Sequence, residues 1–136
     1  MRKLLCCISI PLLVFFMVLP VFGQEEKGRA YFDFGVFAFE DKDYEGAENN
    51  FKKALEFNPG DPVFNQYLGK TYLKTNHYQK ALEYFSRAWQ TDPEIDELKY
   101  DLAYLYFKMG NYSKGAELFE DIIEEEPSNE IGRAHV

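Results

Sequence analysis

Few residues in this chain could carry out chemistry, and their spacing limits what that chemistry could be. His77 is the only histidine ahead of the C-terminal tail, and it falls in a predicted turn with no nucleophile placed to use it as a base. Ser86, Ser113 and Ser128 lack the strand-turn-helix setting that would expose an activated hydroxyl. The run Glu124-Glu125-Glu126 offers carboxylates to a divalent cation. Three acids at a helix end read better as a solvated terminus, and an unfavourable one, because the helix dipole disfavours acids there. Cys6 and Cys7 both lie in the first apolar stretch, so a processed product would have no disulfide, thiolate nucleophile or cysteine-bound metal. Gly-rich phosphate loops, HExxH and CxxC are absent. The sequence therefore predicts no catalytic residue, no metal site and no cofactor, hence no enzyme in this stretch. Its function must lie in a binding surface.

Charge narrows the partner. The net charge is −8, and loss of Arg2 and Lys3 with a leader would make it −10. This argues against nucleic acid as a partner, since phosphates require clustered Lys and Arg. The acidic balance equally disfavours a basic membrane-surface helix and favours solubility.

Residues 1–23 have the pattern of a secretory signal. Arg2-Lys3 gives a positive start and Leu4 to Leu19 an apolar core. Pro20 is expected to break the helix, and Val21 and Gly23 fit the positions before a cut that leaves Gln24 first. The expected location is outside the cytoplasm, periplasmic or extracellular if the source is bacterial, with no membrane contact after cleavage. The alternative is an uncleaved N-terminal anchor, because Leu4 to Phe22 is nearly long enough to span a bilayer.

From Gln24 the composition turns charged and aromatic, and the chain becomes periodic. Leu68, Gly69, Tyr72, Tyr78, Ala81, Phe85, Ala88 and Pro93 define a unit. Shifted back by 34 it meets Gly35, Tyr44, Ala47, Phe51, Ala54 and Pro59; shifted forward it meets Tyr106, Tyr112, Phe119 and Pro127. A fixed period of this length marks a repeat array. After a short leader at 24–27, the units are 28–61, 62–95 and 96–129. Each is predicted to hold a helix A (28–41, 62–75, 96–109), a turn, and a helix B (43–57, 77–91, 111–125). Asp61 and Asp92 suit caps or turns ahead of A helices. Asn58-Pro59-Gly60-Asp61-Pro62 is turn chemistry, and Gly110-Asn111 suits a left-handed turn residue. Gly35, Gly69 and Ala103 are small where A and B helices must approach, as are Ala47 and Ala81, and Phe51, Phe85 and Phe119 fill the space left.

The residues and the period resemble the tetratricopeptide repeat, a helix-turn-helix unit that stacks into an all-α, right-handed α-solenoid. The match is fullest in the second unit, where Asn65 replaces the first aromatic of the pattern. Ala38 departs from it in the first unit, and Gly115 and Ile122 depart in the third.

The resemblance implies a concave face lined by the A helices, reached by Arg29, Phe32, Val36 and Phe39, then Val63, Gln66, Lys70, Leu73 and Lys74, then Glu97, Tyr100, Tyr104, Phe107 and Lys108. Of these, Phe32, Val36, Gln66, Lys70, Lys74, Tyr100, Tyr104 and Lys108 are the expected peptide-binding groove. Apolar rings around central lysines suit an extended or helical peptide with an acidic group. Family members that clamp a C-terminal carboxylate use Lys and Asn on successive A helices. Phe32 and Val36 hold the first two of those positions, so that mode is not expected.

Two functional readings follow. One is an exported scaffold for protein–protein interaction; the other is the accessory N-terminal region of a larger exported enzyme, such as a peptidase. Residues 130–136 fit no further helix A, and Ile131 to Val136 match one frame of a common sequencing adapter. They are expected to be non-native read-through, with the natural protein continuing. The third unit would then be left uncovered and able to self-associate.

Overall fold

The computed structural model describes residues 9–95 and 97–125, with side chains from 23 onward. The start of the leader, Asp96, the end of the third unit from 126 and the tail at 130–136 lie outside the described residues. Within them the chain forms α1 (Ser9–Glu40), α2 (Tyr44–Phe57), α3 (Pro62–Lys74), α4 (Tyr78–Thr91), α5 (Leu98–Lys108) and α6 (Tyr112–Glu125). The predicted helices from 28 onward are all present, most within two residues of their expected ends.

The helices pair as α1–α2, α3–α4 and α5–α6, and one turn closes all three pairs. Asp43, His77 and Asn111 donate their backbone N–H to the carbonyls of Ala38, Tyr72 and Tyr106, at 2.9, 2.8 and 2.9 Å. The preceding residues Lys42, Asn76 and Gly110 are left-handed, with φ of 64, 61 and 78°. Each turn is a Schellman cap that returns the chain antiparallel. Gly110 takes this conformation as expected. Lys42 was not legible as its counterpart, because a lysine carries no left-handed preference.

Between units the chemistry differs. Asp61 Oδ1 accepts from the Phe64 N–H at 3.0 Å, with Pro62 opening α3. Buried Asn65 donates Nδ2 to the carbonyls of Pro59 and Asp61, so this departure from the repeat pattern ties down the preceding turn. Asp92 is a turn residue and not the cap of α5: its carboxylate accepts from the Glu94 N–H at 3.0 Å. Helix α5 starts at Leu98, two residues later than expected, after left-handed Glu97.

Helix α1 differs most from expectation. It begins upstream of residue 28 and continues through Pro20, where a break was predicted. An interior proline loses one hydrogen bond and costs about 3 kcal/mol, which disfavours a helix without forbidding it.

The core is continuous along the array. Phe51 and Phe85 are fully buried beneath Gly35 and Gly69, where a Cβ would lie 2.5 and 2.6 Å from the rings. In the third unit Ala103 takes the glycine position, and Phe119 is half-buried with its ring edge-on to Tyr100 at 5.7 Å. Gly115 lets α5 and α6 approach instead, since a Cβ there would stand 3.1 Å from the Ala103 carbonyl oxygen.

Among the described residues the backbones of α1 and α3, and of α3 and α5, approach closely, whereas no two even helices come as near. Closer spacing of α1, α3 and α5 makes theirs the inner, concave side.

Candidate peptide-binding groove

The inner face is built from the same register positions in successive A helices, but its side chains divide into a packed set and an open set. Phe32 is in the packed set. Its ring stacks on Phe64 at 4.7 Å and meets Tyr67 edge-on at 5.1 Å, so it joins the first unit to the second. Val36 is half-buried against the same cluster. Gln66 is buried and donates Nε2 to Asp101 Oδ2 at 2.9 Å. Tyr100 is half-buried against Phe119.

Lys70 lies at the centre of a polar cluster between α3 and α5. Its Nζ is 2.9 Å from Glu97 Oε2 and 3.4 Å from Asp101 Oδ2, and it also covers the Tyr67 ring at 5.3 Å. Burial alone would lower the Lys70 ammonium, but Asp101 and Glu97 more than offset this and hold it above its ordinary value. Burial raises the Asp101 carboxyl to about 6, against the pull of Lys70 and the Gln66 hydrogen bond. One lysine faces two acids here, so Lys70 does not supply the positive centre anticipated for the groove.

The open set is Lys74, Tyr104 and Lys108. Lys74 is exposed at the end of α3. Tyr104 exposes its ring on α5, with Lys108 Nζ 5.2 Å from the ring centre. Hydrogen bonding to the Tyr104 hydroxyl holds the Lys108 ammonium above its usual value. Phe107, beside them, is more than half exposed. Two ammonium groups and an aromatic ring on a row of packed helices can pair with a carboxylate and cover an apolar side chain.

Asp101 is the inner-face residue that sequence reading missed. Its register counterparts are Asp33 and Tyr67, so no repeated residue type marks it. The one available signal was Lys70 and Glu97 on adjacent A helices, which leaves a site for another acid. Among the described residues no group of His, Cys, Asp and Glu has the geometry to hold a metal.

Comparison with known proteins accords with this architecture. The family model for the fourth ARM domain of tetratricopeptide repeat protein 21 matches residues 64–135, just over half the chain. A tetratricopeptide repeat model matches residues 38–83. No curated protein matches. Among solved structures, the Arabidopsis OM64 TPR domain superposes with a TM-score of 0.76 at 17% identity, over 82% of this chain and 92% of that one. The second TPR domain of human RPAP3, solved with the HSP70 peptide SGPTIEEVD, gives 0.71 at 18%, over 84% and 92%. The first TPR of Spaghetti (RPAP3), bound to the HSP90 peptide SRMEEVD, gives 0.74 at 16%, over 81% and 89%. At these identities the likeness is one of fold. Period, hairpin geometry and family match agree, and the chain belongs to the tetratricopeptide repeat family.

Proposed function

We propose that this chain is an exported protein–protein interaction module that takes a peptide segment along the inner face of α1, α3 and α5. The observation that carries the proposal is the open strip Lys74–Tyr104–Lys108, held on helices whose inner-face residues Phe32, Gln66 and Lys70 are fixed by ring stacking, a buried hydrogen bond and an ion pair. The helices that carry the strip are packed against their neighbours, so binding has to order lysine side chains and the peptide but no backbone of the array. The occupant is a segment with an acidic group for the lysines and an apolar side chain for the Tyr104 and Phe107 rings. Peptide complexes of structurally similar TPR domains support this mode. The carboxylate clamp is no part of the proposal, because Phe32 stacks in the core where a clamp residue would stand.

Selection of a displayed peptide library against the purified chain, followed by titration of the recovered peptides, tests the groove. The expected peptides are acidic with an aromatic or aliphatic anchor, and Lys74→Glu with Tyr104→Ala should weaken them at least tenfold. Peptides that bind the double variant as tightly would overturn the assignment. Export is supported by the leader pattern at 1–23 and is tested by sequencing the N-terminus of the protein made in its host. Gln24 as first residue is the expected result; an intact Met1 would favour the anchored alternative.

A further inference from the structure

Two buried side-chain oxygens among the described residues, Asn58 Oδ1 and Asn65 Oδ1, have no hydrogen-bond partner. Asn58 Oδ1 is closed in by α1, since a Cβ on Gly28 would lie 2.1 Å from it. Asn65 differs: it is only 1% exposed, yet it lines a cleft of about 210 Å3 between α2 and α4, on the outer side of the array. Both of its amide hydrogens are spent, on the carbonyls of Pro59 at 3.2 Å and Asp61 at 2.8 Å. The amide is therefore fixed in orientation, and Oδ1 is the atom that Asn65 can offer to the cleft. A buried acceptor left unpaired is unfavourable, so the cleft favours an occupant that brings it a donor.

The cleft lies within the array, where the first unit meets the second. Helix α2 supplies Lys52, Leu55 and Glu56 to one wall and α4 supplies Tyr84 and Arg87 to the other, with Pro59 and Asn65 completing the lining. Register explains the room. The residue 34 before Asn65 is Tyr31, whose ring stacks on Phe57 at 5.8 Å with the Lys53 ammonium 5.4 Å from its centre. In the second unit Arg87 stands at the position of Lys53, but Asn65 brings no ring for it to cover. Arg87 lies over Tyr84 instead, 4.9 Å from the ring centre, and pairs with Glu83. Tyr84 in turn stacks on Tyr72 at 5.6 Å, so this wall is held in place by α3. On the α2 side, Glu48 pairs with Lys52. The volume is several times what one water needs.

We propose that this cleft is a docking site for a tyrosine side chain presented by a partner protein segment. The ring supplies, beside Leu55 and Tyr84, what Tyr31 supplies in the first unit, with Arg87 as the cation at its face. The hydroxyl, at the end of the ring farthest from the partner's backbone, donates to Asn65 Oδ1. A phenylalanine fits the same walls but leaves the acceptor unpaired, so the site discriminates by the hydroxyl. Lys52, Glu56 and Arg87 are exposed at the rim, where the partner's backbone crosses while its ring points inward. The cleft is on the outer side and the peptide groove on the inner, so the two can be occupied together.

The side-chain amide of Asn65 reports occupancy directly in nitrogen–proton correlation spectra of the isotope-labelled full chain. Titration with the peptide acetyl-Gly-Ser-Tyr-Ser-Gly-amide should shift that signal, with the backbone amides of Leu55 and Arg87, to saturation. The same peptide with phenylalanine for tyrosine should bind at least tenfold more weakly. Asn65→Leu should bring the two peptides to equal affinity, and Arg87→Ala should weaken both severalfold. Asn65→Tyr, which supplies the ring from within, should abolish binding of either, with helical content unchanged by circular dichroism. If the Asn65 variants fail to fold, the two peptides on the wild-type chain and the exposed Arg87→Ala change still decide. A tyrosine peptide that leaves the Asn65 amide unmoved, in a cleft that takes water only, would overturn the proposal, as would equal binding of the two peptides to the wild type. Free p-cresol that binds as tightly as the tyrosine peptide would assign the cleft to a small phenol and refute a protein partner. Lys74→Glu/Tyr104→Ala should leave these shifts intact, so failure of the groove and failure of the cleft are read separately.

Discussion

Replacing Asp101 by asparagine should make this protein more stable at neutral pH, although the substitution removes one member of an ion cluster. The carboxyl is buried between α3 and α5, where Lys70, Glu97, Gln66 and the Tyr67 ring surround the cluster. Burial raises it from 3.8 to about 6. Keeping it ionised in the folded chain therefore costs about 3 kcal/mol relative to the unfolded chain, at about 1.4 kcal/mol per pH unit. Because the folded value is the higher one, the stability that the protonated form contributes is fully present below about 3.8. It is lost as pH rises through about 6. An asparagine mimics the protonated acid and keeps an oxygen to accept from Gln66. Lys70 retains Glu97, so its ammonium is not left buried and unpaired. Urea unfolding followed by the fluorescence of Trp89, the only tryptophan, gives the comparison. Asp101→Asn should exceed the wild type by up to about 3 kcal/mol at pH 7.5, and the gap should close towards pH 4. The difference between the two proteins cancels the titration of the other acids. If Asp101→Asn is instead less stable at pH 7.5 by more than about 1 kcal/mol, attraction to Lys70 dominates burial and the reasoning fails.

Three further outcomes follow from the geometry. Gly69→Ala should cost about 1–3 kcal/mol because its Cβ would meet the buried Phe85 ring at 2.6 Å, and Phe85→Leu in the same chain should recover part of that loss in a urea double-mutant cycle. Phe85→Ala alone should cost about 3–5 kcal/mol through the cavity it opens, read from the same denaturation curves. Asn76→Gly should be neutral to slightly stabilising, because the residue is already left-handed at φ 61°, whereas Asn76→Val should lower the thermal midpoint by several degrees.

The hairpins were legible in the sequence because the forces that set them are local. Asp61-Pro62 caps and opens α3, Gly110 turns the chain left-handed, and Gly69 with Phe85 records a contact between neighbouring helices at fixed spacing. Repetition at 34 residues reinforces the last of these, since Gly35 with Phe51 repeats Gly69 with Phe85. The inner face was only partly legible. Its positions follow from register, but the use made of each depends on what the next unit places opposite. Phe32 and Gln66 are buried because Phe64 and Asp101 arrive from elsewhere in the chain. Lys70 is neutralised because Asp101 on α5 and Glu97 just before that helix face it, while Lys74, one turn further on, stays exposed. Asp101 went unseen because its neighbours are not neighbours in sequence.

The ends of the array divide in the same way. The sequence by itself determined that Ala30, Phe34 and Phe37 share one helical stripe and one register with Phe64, Leu68 and Thr71, since a helix repeats every 3.6 residues whatever surrounds it. Only the tertiary structure decided that the second stripe is sealed and the first is open. Burial belongs to a pair of surfaces: Phe64 is buried where it stacks on Phe32, whereas Phe34 and Phe37 are 64% and 67% exposed.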